Sequence, residues 1–154
     1  IRSLNTFVGL PHRYEIFLYR KNYIFINDSK ATSFQATKFA LQNTKNIFWI
    51  VGGLPKQNDR INLKNLRTNI IKSYIIGKNT SFFKKQIKNK IKHCVARNLR
   101  NSIIQILKDI KSLKEEKNII LLSPAAASFD QFKNFENRGN EFKKLSRLYA
   151  KKFI

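Results

Sequence analysis

The alternation of apolar and polar positions along the chain predicts strands and helices in turn. Tyr14 to Tyr19 and Tyr23 to Ile26 are rich in aromatic and β-branched residues. The short polar stretch Arg20-Lys-Asn22 separates them, so the pair reads as a hairpin. Thr32 to Gln42 follows with helical character, Ala36, Phe39 and Ala40 being able to share a face. Asn46-Ile-Phe-Trp-Ile-Val51 is an apolar run that stops at Gly52-Gly53, the form of a strand buried on both faces. The pattern next gives a helix over Ile61 to Asn69 and a strand over Ile70 to Ile76, closed by Gly77. A short helix over Ser81 to Lys88 and a strand-like run over Ile91 to Val95 come after it. Asn98 to Leu113 is the clearest helix, with Leu99, Ile103, Ile106, Leu107 and Ile110 at helical spacing. Asn118 to Leu122 is the last strand, and helices are expected around Asp130 to Asn134 and from Gly139 to Lys151. The latter carries Phe142, Leu145, Leu148 and Tyr149 as its apolar stripe.

Strands alternating with helices predict an α/β fold, a Rossmann-like and mostly parallel sheet with helices on both faces. No internal repeat or long linker divides the chain, so residues 1–154 are expected to form a single domain. In such sheets ligands bind beyond the carboxyl ends of the strands. The loops after Ile26, Val51 and Leu122 are therefore where function is sought. No GxGxxG segment follows these strands and no GxxxxGK[ST] loop is present. Ordinary dinucleotide binding and an unaided triphosphate cradle are thus not expected.

Composition adds limits. An apolar fraction of 42% over 154 residues supports a packed core rather than disorder. No apolar run reaches the ~20 residues of a membrane span, and no secretory signal pattern is seen, which makes the cytoplasm the expected compartment. The single cysteine, Cys94, cannot form an internal disulfide, in keeping with a reducing environment. His93 beside it suggests a metal or thiolate site, yet adjacent residues of a strand point to opposite faces, so both are read as packing. The formal charge of +22 comes from 31 Lys and Arg against 9 Asp and Glu. These cations are scattered, and they accompany many Ile and Asn residues whose codons are rich in A and T. Genomic base bias accounts for that composition better than a nucleic-acid footprint, and no basic–aromatic strand face suggests one. The chain starts at Ile1 and contains no Met, which leads to the expectation of a fragment or a processed piece.

The candidate chemistry lies in the three loops. In Asn27-Asp-Ser-Lys-Ala-Thr32, Asp28 is an acceptor at a strand tip, Lys30 a mobile cation, and Thr32 a candidate helix cap or ligand contact. Gly52-Gly-Leu-Pro-Lys56 is a tight turn that sets a lysine above a strand end. Ser128-Phe-Asp-Gln131 fits the S-x-x-Q capping box. A helix starting there would offer free N–H groups and a favourable dipole to a carboxylate.

Five segments stand in a telling order: Gly9-Leu-Pro-His-Arg13, Asn27-Asp-Ser-Lys-Ala-Thr32, Gly52-Gly-x-x-Lys56, Ser123-Pro-Ala-x-Ala-Ser-x-Asp-Gln-Phe132 and Asn134-Phe-Glu-x-Arg-Gly-x-x-Phe142. Together they closely resemble the C-terminal domain of the D-glutamate-adding Mur ligases of peptidoglycan synthesis. The resemblance covers nearly the whole chain. It implies an ATP- and Mg²⁺-dependent enzyme that phosphorylates the carboxylate of UDP-N-acetylmuramoyl-L-alanine, after which the amine of D-glutamate attacks the acyl phosphate. Residue by residue, it implies nucleotide contacts for Arg13 and Asp28, with Lys30 at the junction of nucleotide and amino acid. Thr32, Lys56, Ser128 and the backbone N–H groups of Phe129 and Phe135 would hold D-glutamate. Lys30 and Lys56 would carry the catalytic charge, and this domain would supply no metal ligand. The phosphate-gripping loop, the Mg²⁺ ligands and the UDP-binding domain would lie upstream of Ile1, so this piece alone is expected to be inactive. By the same implication the enzyme is a monomer with no specific nucleic-acid or membrane partner. Ala126 stands where many relatives have Cys, and Leu54-Pro55 differs from a Gly-rich version in some members. The competing readings are another Mur or folyl-polyglutamate ligase, a basic nucleic-acid-binding module, and an interaction-only domain.

Overall fold

A computed structural model describes residues 9–113 and 116–154. Among them the elements run β1 (Glu15–Arg20), β2 (Tyr23–Asn27), α1 (Phe34–Asn43), β3 (Ile47–Gly52) and β4 (Ile70–Ile76). These are followed by α2 (Thr80–Ile87), β5 (His93–Arg97), α3 (Leu99–Asp109), β6 (Asn118–Leu122) and α4 (Phe135–Phe153). β1 and β2 form the expected hairpin, with Arg20 opposite Tyr23. Every other neighbouring pair is parallel, in the sheet order β1-β2-β6-β3-β4-β5. The last strand thus inserts between β2 and β3. That insertion sets the loop after Leu122 between the loops after Asn27 and Gly52.

Side chains alternating along the strands divide the core into two layers. Ile47, Trp49 and Val51 of β3 and Ile119 and Leu121 of β6 pack with Leu41 of α1 and Phe83 and Ile87 of α2. Phe48, Ile50, Ile120 and Leu122 pack instead with Ile103, Ile106 and Leu107 of α3 and Phe142 of α4. Both faces of β3 and β6 are covered, which is why these strands read as unbroken apolar runs. Cys94 is half-buried against the second layer, and burial pushes its thiol above the ordinary value, as suits a packing residue. No helix of the described residues is long and apolar enough to cross a membrane.

Four details depart from the pattern. No α-helix forms over 61–69, where only Arg67–Asn69 makes a 3-10 turn. Ile61, Leu63 and Leu66 are buried there, at a spacing that matches no helical stripe. Gln86 holds the segment instead, its side chain accepting the Ile61 N–H and donating to the Asp59 carbonyl. In α1 the buried residues are Phe34, Thr37, Ala40 and Leu41, while Phe39 is 61% exposed, its ring edge-to-face with Tyr14 at 6.0 Å. In α4 the buried row is Arg138, Phe142, Ser146 and Ala150, one turn apart, so Leu148 of the expected stripe is 58% exposed. A helix over 130–134 does not form either, for a reason that belongs to the site.

Candidate functional site at the carboxyl ends of the strands

Backbone strain gathers at one end of the sheet. Among the described residues, and apart from asparagines, the non-glycine residues with positive φ are His12, Tyr14, Lys21, Arg97 and Ala125. Lys21 belongs to the hairpin turn; the other four flank the carboxyl ends of β2, β5 and β6. Such conformations are disfavoured for L-residues and cluster where packing imposes a functional geometry.

The loop after β2 is built inward. Asp28 is buried, with one carboxylate oxygen accepting the Tyr14 N–H at 3.0 Å and the other the Ser123 hydroxyl at 2.7 Å. Burial pushes its carboxyl above the ordinary value, against the pull of the Ser123 hydroxyl, the Tyr14 N–H and the Arg13 charge. The Asn27 side chain donates to His12 Nδ1 at 2.9 Å and to Glu15 at 3.0 Å. Glu15 also takes the His12 N–H and Lys143. Burial raises the Glu15 carboxyl, but these donors more than reverse it. Burial, aided by the Lys143 charge, lowers His12 below its usual value. The His12 ring sits where a Cβ on Gly139 would be, so α4 can approach only because that residue is glycine. Lys30 is exposed, its ammonium 5.4 Å from the centre of the Phe135 ring. Thr32 is half-buried and does not cap α1; Ser33 does, accepting the Ala36 N–H at 3.3 Å.

The loops after β3 and β6 are tied together. Leu54 and Ala127 form an antiparallel bridge through N–H to carbonyl bonds of 2.8 and 3.1 Å. This fixes the path of the Leu54-Pro55 departure and sets the Lys56 turn, closed by Lys56 N–H to Asp59 at 2.9 Å, beside the segment leading to Ser128. Ser128 is buried but starts no helix, contrary to the capping-box expectation. Its carbonyl receives the N–H groups of Gln131 and Phe132 in a single turn. Gln131 donates its amide to the Arg97 carbonyl, and Asp130 accepts the Lys78 N–H. These tertiary partners of β4 and β5 outcompete the local box. The helix begins at Phe135, capped by Asn134, whose side chain accepts the Asn137 N–H at 2.8 Å. The N–H groups of Phe135 and Glu136, in its first turn, have no intrahelical acceptor. The anion-favouring helix end is therefore at Phe135, seven residues beyond Ser128.

Arg138 connects these parts. It is 1% exposed, donates Nε to the Ser29 hydroxyl at 3.0 Å and Nη2 to the Ser29 carbonyl at 2.8 Å. The Ser29 hydroxyl in turn donates to the Phe135 carbonyl at 2.8 Å. Neither Ser29, Ser123 nor Arg138 emerges from reading the loops. Their only trace is their presence inside the quoted segments, since a buried polar partner set is a tertiary property.

The structure thus brings Lys30, Phe135 and the β2 loop together, and ties the Lys56 loop to the Ser128 segment. Phe129 is 69% exposed and Arg13 is exposed. Asp28 faces the interior, so its carboxylate braces the β2 and β6 loops. A cavity of about 720 Å³ opens elsewhere, at the amino ends of β4 and β5, lined by Asn62, Lys64, Arg67 and Lys90 among others. Concavity and chemistry disagree here. The carboxyl-end loops are the better candidate, because strain, buried polar partners and a helix N-terminus coincide there. Among the described residues no three His, Cys, Asp or Glu side chains gather to hold a metal ion.

A mostly parallel α/β sheet with cross-tied, cationic loops at its carboxyl ends is a Rossmann-like architecture. No family model matches the chain. It is 41% identical over 143 residues to the UDP-N-acetylmuramoylalanine–D-glutamate ligase of Wolbachia sp. subsp. Brugia malayi, a match covering 92% of the chain and 28% of that relative. The ligase of the same name from Nitrobacter hamburgensis is 38% identical, over 95% of the chain and 31% of the relative. That from Rickettsia felis is 35% identical, over 97% of the chain and 33% of the relative. The chain is homologous to one segment of the UDP-N-acetylmuramoylalanine–D-glutamate ligases, and it spans 28–33% of the length of these relatives.

Proposed function

We propose that the chain is the C-terminal, amino-acid-carrying domain of a D-glutamate-adding ligase. In the intact enzyme the carboxylate of UDP-N-acetylmuramoyl-L-alanine is activated as an acyl phosphate at the expense of ATP. The amine of D-glutamate then attacks the acyl carbon, phosphate leaves and the amide forms. This domain's part is to hold the dicarboxylate so that its amine meets that carbon, a contribution of orientation and electrostatics. Lys56, Thr32, Ser128 and the N–H groups of Phe129 and Phe135 hold the carboxylates. Lys30 stands between amino acid and nucleotide, and Arg13 reaches the nucleotide. Asp28, held by Tyr14 and Ser123 at the tip of β2, joins Arg13 on the nucleotide side. Mg²⁺ would assist the phosphate chemistry from ligands outside the described residues. The enzyme works as a cytoplasmic monomer, with no nucleic-acid or membrane partner.

The observation that carries this reading is the coincidence of the Leu54–Ala127 bridge with the α4 N-terminus at Phe135. The first sets a lysine loop beside Ser128; the second offers N–H groups and a helix dipole to an anion. Homology to the D-glutamate ligases supplies the substrate class. Steady-state kinetics of the intact ligase test it. Lys56→Ala or Ser128→Ala is expected to raise the D-glutamate KM or lower kcat by about tenfold or more, as loss of a charge-assisted contact does. Arg13→Ala should instead weaken use of ATP. Normal kinetics in both D-glutamate-site variants, or turnover with diaminopimelate but not D-glutamate, would defeat the proposal.

A further inference from the structure

Among the described residues, Arg138 is the only lysine or arginine that is buried. Removing a guanidinium from water is costly unless charged partners repay it. Its hydrogen-bond partners are the neutral hydroxyl and carbonyl of Ser29, and Nη1 is buried with no hydrogen-bond partner among the described residues. Burial pulls the guanidinium down to about 10, opposed only by the charge of Asp130, so it stays a cation at neutral pH. Asp130 acts on it only through space, with one carboxylate oxygen accepting the Lys78 N–H and no hydrogen bond to the guanidinium. A side chain needed only to fill this space would be apolar, and a structural ion pair would place a carboxylate against Nη1.

What converges on Arg138 is specific. Ser29 precedes Lys30 and, through its hydroxyl, grips the Phe135 carbonyl at the start of α4. On the other side, a Cβ on Gly53 would lie 3.2 Å from Nη1. Gly53 leads directly into the Leu54–Ala127 bridge, and so into the loops of Lys56 and Ser128. The nucleotide-side residues are fastened separately, Asp28 by Tyr14 and Ser123.

We propose that Arg138 is a positioning residue for the dicarboxylate amino acid: one enclosed guanidinium sets Lys30, Phe135 and the Lys56 and Ser128 loops relative to one another, and its under-compensated charge lies beneath the bound anion. The proposal rests on the ligase reading. It assigns Arg138 chiefly to the amino-acid side of the site, since Asp28 on the nucleotide side is fastened by Tyr14 and Ser123.

The test uses the intact ligase with D-glutamate and ATP, and wild-type turnover with D-glutamate is required first; its absence sinks the ligase reading itself. Given that turnover, Arg138→Ala should raise the D-glutamate KM about tenfold or more while the ATP KM stays within about twofold. Added guanidinium ion should restore part of the loss, a rescue that a purely structural defect would not show. Ser29→Ala, which keeps the cation and removes the link to Phe135, should raise the same KM by a smaller factor. If Arg138→Ala fails to fold, Arg138→Lys and Ser29→Ala decide. A D-glutamate KM unchanged in both, or D-glutamate and ATP KM values rising in parallel, overturns the proposal.

Discussion

At Gly53 the site depends on a missing side chain. The residue has φ of +142°, and a Cβ there would drive into the Ala127 carbonyl, the acceptor of the Leu54 bridge. Gly53→Ala should therefore cost more than about 1 kcal/mol, read as a lower urea midpoint at unchanged m. The expected accompaniment is weaker D-glutamate use, because the bridge holds the Lys56 turn against the Ser128 segment. At this scale the sequence pointed to the candidate loops, while the contacts that fasten them to one another stayed out of view. Lys30, Lys56, Ser128 and Phe135 stand in loops that the strand pattern marks out as ligand-facing. Ser29, Ser123 and Arg138 act through partners 86 to 109 positions away in the chain, and no local pattern announces such partners.

Among the elements, α4 separates two ways of reading a helix. Its apolar residues alone suggest a stripe that includes Leu148, whereas the packed row mixes Arg138 and Ser146 with Phe142 and Ala150. Phe142 is fully buried and meets Phe17 edge to face at 5.5 Å. Phe142→Ala should cost about 3–5 kcal/mol in chemical denaturation. Leu148→Ala should stay within about 0.5 kcal/mol. Equal costs would mean that the helix is rotated from the orientation described. The strands and α3 were legible because a two-sided sheet and an amphipathic helix impose their periods on the sequence. The helices expected at 61–69 and 130–134 were not found because tertiary bonds redirect the backbone: the distant Gln86 side chain holds the first segment, and in the second Asp130 and Gln131 turn their side chains to the Lys78 N–H and the Arg97 carbonyl.

The whole molecule couples its acid response to the ties between β1, β2 and α4. His12 has a lowered pKa in the folded chain, chiefly from burial. The unfolded chain therefore binds a proton that the native one refuses, and stability falls as pH drops through the ordinary histidine value of 6.5. Glu15 adds to the loss only below its ordinary 4.5, since its folded value is depressed; Asp28, raised by burial, acts in the opposite sense in the carboxylate range. Melting temperature measured from pH 7.5 to 5.5 should decline in the wild-type chain and decline less in His12→Gln. Parallel profiles would show that His12 does not set the slope.

The chain holds a single tryptophan, Trp49, in the middle of the central strand β3. Its side chain is wholly enclosed and its indole N–H donates to the Ser123 carbonyl at 2.7 Å. The hydroxyl of the same serine braces Asp28. A natural chromophore is thereby wired to the junction of the β2 and β6 loops, and its emission is expected to shift when the candidate site is occupied, with no label added.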